Sequence, residues 1–337
     1  MDVFLRRCLR RSLAIFAFIA MLPTSLILAQ AGDGGAASPA SAGAGNPGQK
    51  TTVAWVFKPK VSPFVEPNRP VWHIADILAA HKGQANWAQP VVKDQWFNVQ
   101  YISMGPSEKT RTSYQADTVI WFVVYSGQIR FTIQGHDPFV ATKDFLVQVP
   151  MRTPYSMETV GDTPSVRLEV SIAGSSAVYP VADNPTPPEA PPGYEAVKVE
   201  ARGPTPTPSQ PAPIFLDFDK DVVNNPNATQ RANFFVRDAN GFAVPIRSAA
   251  TPISPPGEIG HFHTGLAEFW YVLEGDMDVR IEGVPDLVKA QQGDLVYSPM
   301  GRYHRTIMVG SPKSTRLAMG GVTDSGASFM PYTGKDN

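Results

Sequence analysis

The sequence predicts an all-β chain in two repeated halves with minor helices. Three observations carry this. At 337 residues the chain exceeds one ordinary domain. Charged residues make up only 18% while Pro numbers 33, a balance that suits strands, turns and extended connectors over long charged helices. A strand pattern also recurs at an offset of 148 residues: Val124 falls on Val272, Gly127 on Gly275, Gly135 on Gly283. The formal net charge of −1 gives no sign of a nucleic-acid partner.

The first 31 residues read as a signal peptide. Arg6, Arg7, Arg10 and Arg11 are a basic start, Leu13 to Leu28 is an apolar run broken at Pro23-Thr24-Ser25, and Ala29-Gln30-Ala31 is an A-x-A cleavage site. Cleavage implies a secreted or periplasmic protein with no membrane contact afterwards. Arg10-Arg11-Ser12-Leu13 resembles a twin-arginine signal without the fuller consensus, so both export routes stay open. The only cysteine, Cys8, lies in this leader, so the mature chain would have neither thiol nor disulfide and must rely on its hydrophobic core.

Residues 32–50 are a Gly/Ala/Ser spacer. Order is expected from Thr52 to Phe57 onward. Val71 to His81 carries Ile74, Ile77 and Leu78 at helical spacing, and His73 and His81 beside it have no partner ligands nearby in sequence. Thr118 to Tyr125 is a buried-strand run, and Ile129, Phe131 and Ile133 alternate with polar residues. The Gly135-His136-Asp137-Pro138 turn predicts an exposed His136. Residues 181–213 form a Pro-rich extended connector, dividing a first half (51–180) from a second (214–330). Asn227-Ala228-Thr229 is a glycosylation acceptor by pattern only.

The second half concentrates the chemistry. Three of the six histidines fall between residues 261 and 304. His261 and His263 are two apart, so a strand turns both rings one way. Glu268 opens an apolar run, and His304 follows Pro299 and Gly301. Three imidazoles and a carboxylate are a mixed N/O donor set for a divalent transition metal.

His261-x-His263-x4-Glu268-x6-Gly275 and Gly293-x5-Pro299-x-Gly301-x2-His304 resemble the two motifs of the cupin superfamily, in germin-like spacing. The sequence departs from the pattern at Pro255, where the first motif opens with Gly, and at Met308, where the second closes with Asn; neither is a ligand position. The resemblance implies two jelly-roll β-barrels in tandem, a bicupin. It assigns one metal to His261, His263, Glu268 and His304, with Mn or Fe favoured and Zn, Ni and Cu open. Carried through the repeat, those ligands become Ser113, Gln115, Ile120 and Tyr155, so the first barrel would hold no metal.

Alternation turns Trp270 and Val272 inward with Glu268, and Phe269 and Tyr271 outward. Met277, Val279 and Ile281 face inward, and His304, Thr306 and Met308 share a face. Trp270, Met277, Tyr297, Thr306 and Met308 are the expected pocket. Glu258, in the 251–260 loop that would act as a lid, and Arg302 and Tyr303 beside His304 are the candidate acid/base groups. Two functions remain open: a metal-dependent oxidoreductase of dioxygenase or oxidase type on a small oxygenated molecule, and a non-catalytic metal- or ligand-binding protein of the cell envelope. A homo-oligomer is compatible with either.

Overall fold

The structure, a computed structural model, describes residues 52–186, 188–190, 192–200, 213–225, 234–251, 257–321 and 328–332. The leader, its cleavage site and cysteine, the 32–50 spacer, much of the connector and the Asn227 sequon lie outside these residues. Among those described, twenty strands stand against one seven-residue α-helix, Ile74–Ala80, and a five-residue π-helical turn, Asp219–Val223. The all-β expectation with minor helices therefore holds. No described helix is long and apolar enough to cross a membrane.

The strands form two similar pairs of sheets. In the first, a six-stranded antiparallel sheet runs Phe215–Asp217, Phe145–Val149, Ile120–Ser126, Ser165–Ile172, Phe97–Met104, Trp87–Lys93. A three-stranded sheet of Phe139–Ala141, Ile129–Ile133 and Tyr155–Thr159 accompanies it. In the second, the order is Val71–Trp72, Leu295–Ser298, Glu268–Glu274, Ser314–Gly320, Phe242–Ser248, Val236–Arg237, with Val288–Gln291, Asp276–Ile281 and His304–Met308 as the smaller sheet.

The repeat is visible in the pairing register. Ile120 opposes Val149 as Glu268 opposes Ser298, and Ile133 opposes Tyr155 as Ile281 opposes His304. An isolated bridge joins Ser113 to Tyr155 in one half and His261 to His304 in the other. Because side chains alternate along a strand, these pairs fix which residues enter each barrel.

Ile120, Phe122, Val124, Phe131 and Ile133 fill the first barrel; Trp270, Val272, Met277, Val279, Ile281 and Met308 fill the second. The opposite faces of the same strands are also buried. Trp121, Val123 and Leu168 join Phe269, Tyr271, Leu273 and Leu317 in one core shared by the two halves. Phe97 contributes its ring edge-on to both Trp121 (6.0 Å) and Phe269 (5.1 Å). Burial on two faces explains why the Thr118–Tyr125 run is continuously apolar instead of alternating.

Two short strands cross between the halves. Val71–Trp72, early in the chain, is an edge strand of the second half, and Phe215–Asp217, past the connector, is an edge strand of the first. The expected helix at 71–81 is accordingly shorter. Its first N–H, from Ile74, donates to Asp294 Oδ1 at 2.9 Å, and His73 Nδ1 lies 2.8 Å from Oδ2. His81 stacks on Trp87 at 4.6 Å, and His136 is exposed. Residues 52–65 form no strand or helix, and Trp55 and Phe57 are exposed.

Candidate metal centre

His261 and His263 are set by a short bridge. His261 exchanges backbone hydrogen bonds with His304, its N–H donating at 3.1 Å and its carbonyl accepting at 2.8 Å. Phe262 exchanges a pair with Phe329, both at 3.0 Å. Alternation turns both imidazoles to one side and Phe262 to the other, where its ring meets Tyr303 (5.0 Å) and Phe329 (5.6 Å). The bridge requires Gly260: its φ is +80°, and a Cβ there would stand 2.0 Å from the His304 carbonyl oxygen.

Glu268 begins one strand and His304 another, on opposite sheets of the same barrel. One ligand atom from each of His261, His263, Glu268 and His304 lies within 4.8 Å of all the others. Glu268 Oε2 sits 3.2 Å from His263 Nε2 and 3.0 Å from His304 Nε2. Its Oε1 accepts the Trp270 indole N–H at 2.9 Å. His304 Nδ1 lies 3.1 Å from the Arg302 carbonyl and 3.1 Å from Ser298 Oγ. A carbonyl only accepts, so Nδ1 carries a proton and Nε2 is the nitrogen that faces the Glu268 carboxylate.

Two imidazole nitrogens set around one carboxylate oxygen at those distances suit a shared cation. Burial, then the neighbouring His304, and more weakly His263 and Arg316, push His261 down to about 3 against the pull of Glu268. Burial alone would raise Glu268, but hydrogen bonds from His263 and His304 hold it well below the usual carboxylate range. The cluster thus sets an ionised carboxylate among three imidazoles, of which His261 resists protonation. That donor set fits a divalent transition metal, held by these four residues, with no thiolate to favour a softer ion.

Trp270 packs against His304 at 5.1 Å, and Met277 and Met308 pair across the smaller sheet inside the barrel. Thr306 opposes Val279 on that same face. Tyr297 does not join them and is corrected. On Leu295–Ser298 it is Val296 and Ser298 that face the interior, while Tyr297 lies in the shared core and donates to Asp94 at 2.9 Å.

The three candidate acid/base groups have other partners. Glu258 accepts from Arg305 at the surface. Arg302 donates to the Glu282 and Ser62 carbonyls and covers the Phe64 ring at 4.2 Å. Tyr303 packs under Lys58 (5.0 Å), which pairs with Glu282 at 2.6 Å. These contacts tie the 58–64 segment to the outside of the second barrel. Much of the supposed lid, 252–256, lies outside the described residues.

Arg316 went unnoticed in the sequence. It is 6% exposed, opposes Val272 on the interior face, and reaches Met308 Sδ with Nη1 at 3.8 Å. Its charge is among those felt by His261. A signal was available: a strand as apolar as Leu317-Ala318-Met319 has no ordinary use for an inward guanidinium.

Residues 253–317 match the family model described as the cupin domain. The second barrel thus carries a cupin domain. Among solved structures, the chain is similar to salicylate 1,2-dioxygenase from Pseudaminobacter salicylatoxidans, with 13% identity and TM-score 0.53, covering 81% of this chain and 88% of that one. A mutant of that enzyme in complex with gentisate aligns at 13% identity and TM-score 0.51, covering 78% and 83%. A Bacillus subtilis oxalate decarboxylase variant aligns at 14% identity and TM-score 0.41, over 70% and 72%. No curated protein matches the chain. The two dioxygenase likenesses support the two-barrel fold, and fold alone does not give chemistry.

Proposed function

We propose that the chain is an exported, metal-dependent oxidoreductase of dioxygenase or oxidase type, acting on a small carboxylate-bearing organic molecule. The observation that supports it is the convergence of three imidazoles and one carboxylate within 4.8 Å inside one barrel. Such a donor set leaves positions open on a six-coordinate ion, and Mn or Fe is the metal favoured. A bound ion of that kind would supply Lewis acidity and one-electron chemistry.

The chain's own residues would do the rest. His261, partly exposed, stands on the open side, while His304 is buried and oriented through Nδ1. Trp270, Val272, Met277 and Met308 keep the interior dry, which strengthens every charge inside it. Arg316 offers a guanidinium near His261, a natural counter-charge for a substrate carboxylate. The gentisate-bound relative makes hydroxylated aromatic acids the first class to try. Export rests on the leader, and a homo-oligomer is compatible with it.

The test is metal analysis of the mature protein, then oxygen uptake with carboxylic acids and catechols, with His261→Ala as control. Bound Mn or Fe and uptake lost in the variant support the reading. Arg316→Met should then raise KM for carboxylates by about tenfold or more. Equal behaviour of wild type and His261→Ala overturns it. A second reading, a non-catalytic metal- or ligand-binding protein, draws support from the outside partners of Glu258, Arg302 and Tyr303, which leave the cluster without a nearby acid/base group from that set. Metal retention without uptake would favour it.

A further inference from the structure

The first barrel has lost the metal ligands but not its polar interior. Ser113, Gln115 and Tyr155 stand at the register positions of His261, His263 and His304, and Ile120 at that of Glu268. Arg167 occupies the position of Arg316: each opposes the matching valine, Val124 or Val272, on the interior face. It is 3% exposed, and its Nε and Nη1 have no hydrogen-bond partner among the described residues. Only Nη2 is engaged, with Glu169 Oε2 at 3.3 Å. Gln115, 6% exposed, likewise leaves Oε1 without a partner.

A buried guanidinium with idle N–H groups is costly, and native interiors rarely keep one without an acceptor to meet it. Here the surroundings suit an oxygen acid. Burial, and then the Glu169 carboxylate, push Tyr155 up, so its hydroxyl stays protonated; it is hydrogen-bonded with Ser113. Phe122 and Phe131 supply apolar walls, their rings 5.8 Å and 5.6 Å from Tyr155 and Phe122 respectively. Glu169, partly exposed and held by Gln100 at 3.2 Å, keeps one side of the cluster near water. With Ile120 in place of Glu268, no carboxylate remains at the metal-ligand positions to attract a cation.

We propose that the first barrel is a metal-independent binding site for a small monocarboxylate, with Arg167 as the anchor and the Tyr155 hydroxyl as a secondary contact. The site is separate from the metal centre and does not depend on the reading of that centre. Glu169 competes with the ligand for the Arg167 guanidinium, which sets how tightly it binds.

The experiment is saturation-transfer NMR of acetate, with acetamide as the neutral isostere, on the full-length mature protein as purified. Acetate should bind at least about tenfold more tightly than acetamide, as expected for a charge-assisted contact. Measured in an Arg316→Met/His261→Ala background, which removes carboxylate binding at the other barrel, acetate binding should persist and should be lost on adding Arg167→Met. Should Arg167→Met fail to fold, Arg167→Lys and Glu169→Gln decide instead. The lysine should weaken acetate by losing the planar fork, and Glu169→Gln should tighten it by removing the competitor. A merely structural Arg167–Glu169 pair predicts no tightening. No acetate binding in that background, binding that survives the added Arg167→Met, or no gain in Glu169→Gln would overturn the proposal.

Discussion

The Trp270 indole N–H donates to Glu268 Oε1 at 2.9 Å, so a single carboxylate oxygen, Oε2, is left facing His263 and His304. Trp270 thereby fixes both the rotation of the carboxylate and the wall beside His304. Trp270→Phe keeps the apolar ring and deletes the donor. It should weaken metal binding by about 10–100-fold, as loss of an orienting partner does. Competition with a metal-binding dye, alongside an unchanged far-ultraviolet dichroism spectrum, checks this.

Gly260→Ala is expected to act on the same centre through the backbone. The φ of +80° and the approach of the added Cβ to the His304 carbonyl make alanine both strained and clashing. The chain must shift His261 or break the pair of hydrogen bonds between the two ligands. A stability loss of about 1–3 kcal/mol should accompany loss of metal. Thermal melts with and without added metal should show the gap between them shrink.

Metal removal should lower the melting temperature of the wild type. An ion at a thousand times its dissociation constant stabilises by about 4 kcal/mol through mass action alone. Chelation should therefore shift the melt of the wild type and leave His261→Ala unmoved. Equal shifts in both would show that the chelated ion sits elsewhere.

Asp144 predicts a pH dependence unconnected with the metal. It takes the left-handed φ of +65°, is 4% exposed, and leaves Oδ1 without a partner, while Oδ2 accepts from Gln292 at 3.0 Å. Burial raises its pKa to about 6, against the pull of Lys143. The folded state thus holds this proton more tightly than the unfolded chain, where the group titrates near ~3.9. Its stabilising effect is complete below the unfolded value and is lost as pH rises through about 6. Asp144→Asn, which tolerates the same backbone, should remove a decline of about 1–2 kcal/mol between pH 5 and 7. Parallel denaturant titrations of the two proteins at those pH values test it.

Much of this was legible in the residues. The spacing of His261, His263, Glu268 and His304 pointed to one converging cluster because a strand's period of two and a few turn glycines leave little choice of direction. The same period placed Trp270, Met277, Thr306 and Met308. Tyr297 was misjudged because both faces of Leu295–Ser298 are buried, so hydrophobicity does not reveal which face meets the barrel interior. Arg316 and Arg167 were missed for a related reason. Each lies on a strand with no motif of its own, and only the cross-strand pairing with Val272 or Val124 turns it inward. Ser62, Phe64 and Lys58, which hold Arg302 and Tyr303 from more than two hundred positions away, are beyond the reach of any local pattern.

The exchange of edge strands has a bearing on how the protein may be dissected. A cut anywhere in the connector strands Val71–Trp72 on one fragment and Phe215–Asp217 on the other, each severed from the neighbour it completes. Either fragment expressed alone would present a raw sheet margin and the bared aromatic floor of Trp121, Phe97 or Phe269, an invitation to aggregate. Separate production of the second half is therefore best attempted with residues 58–80 fused back to it.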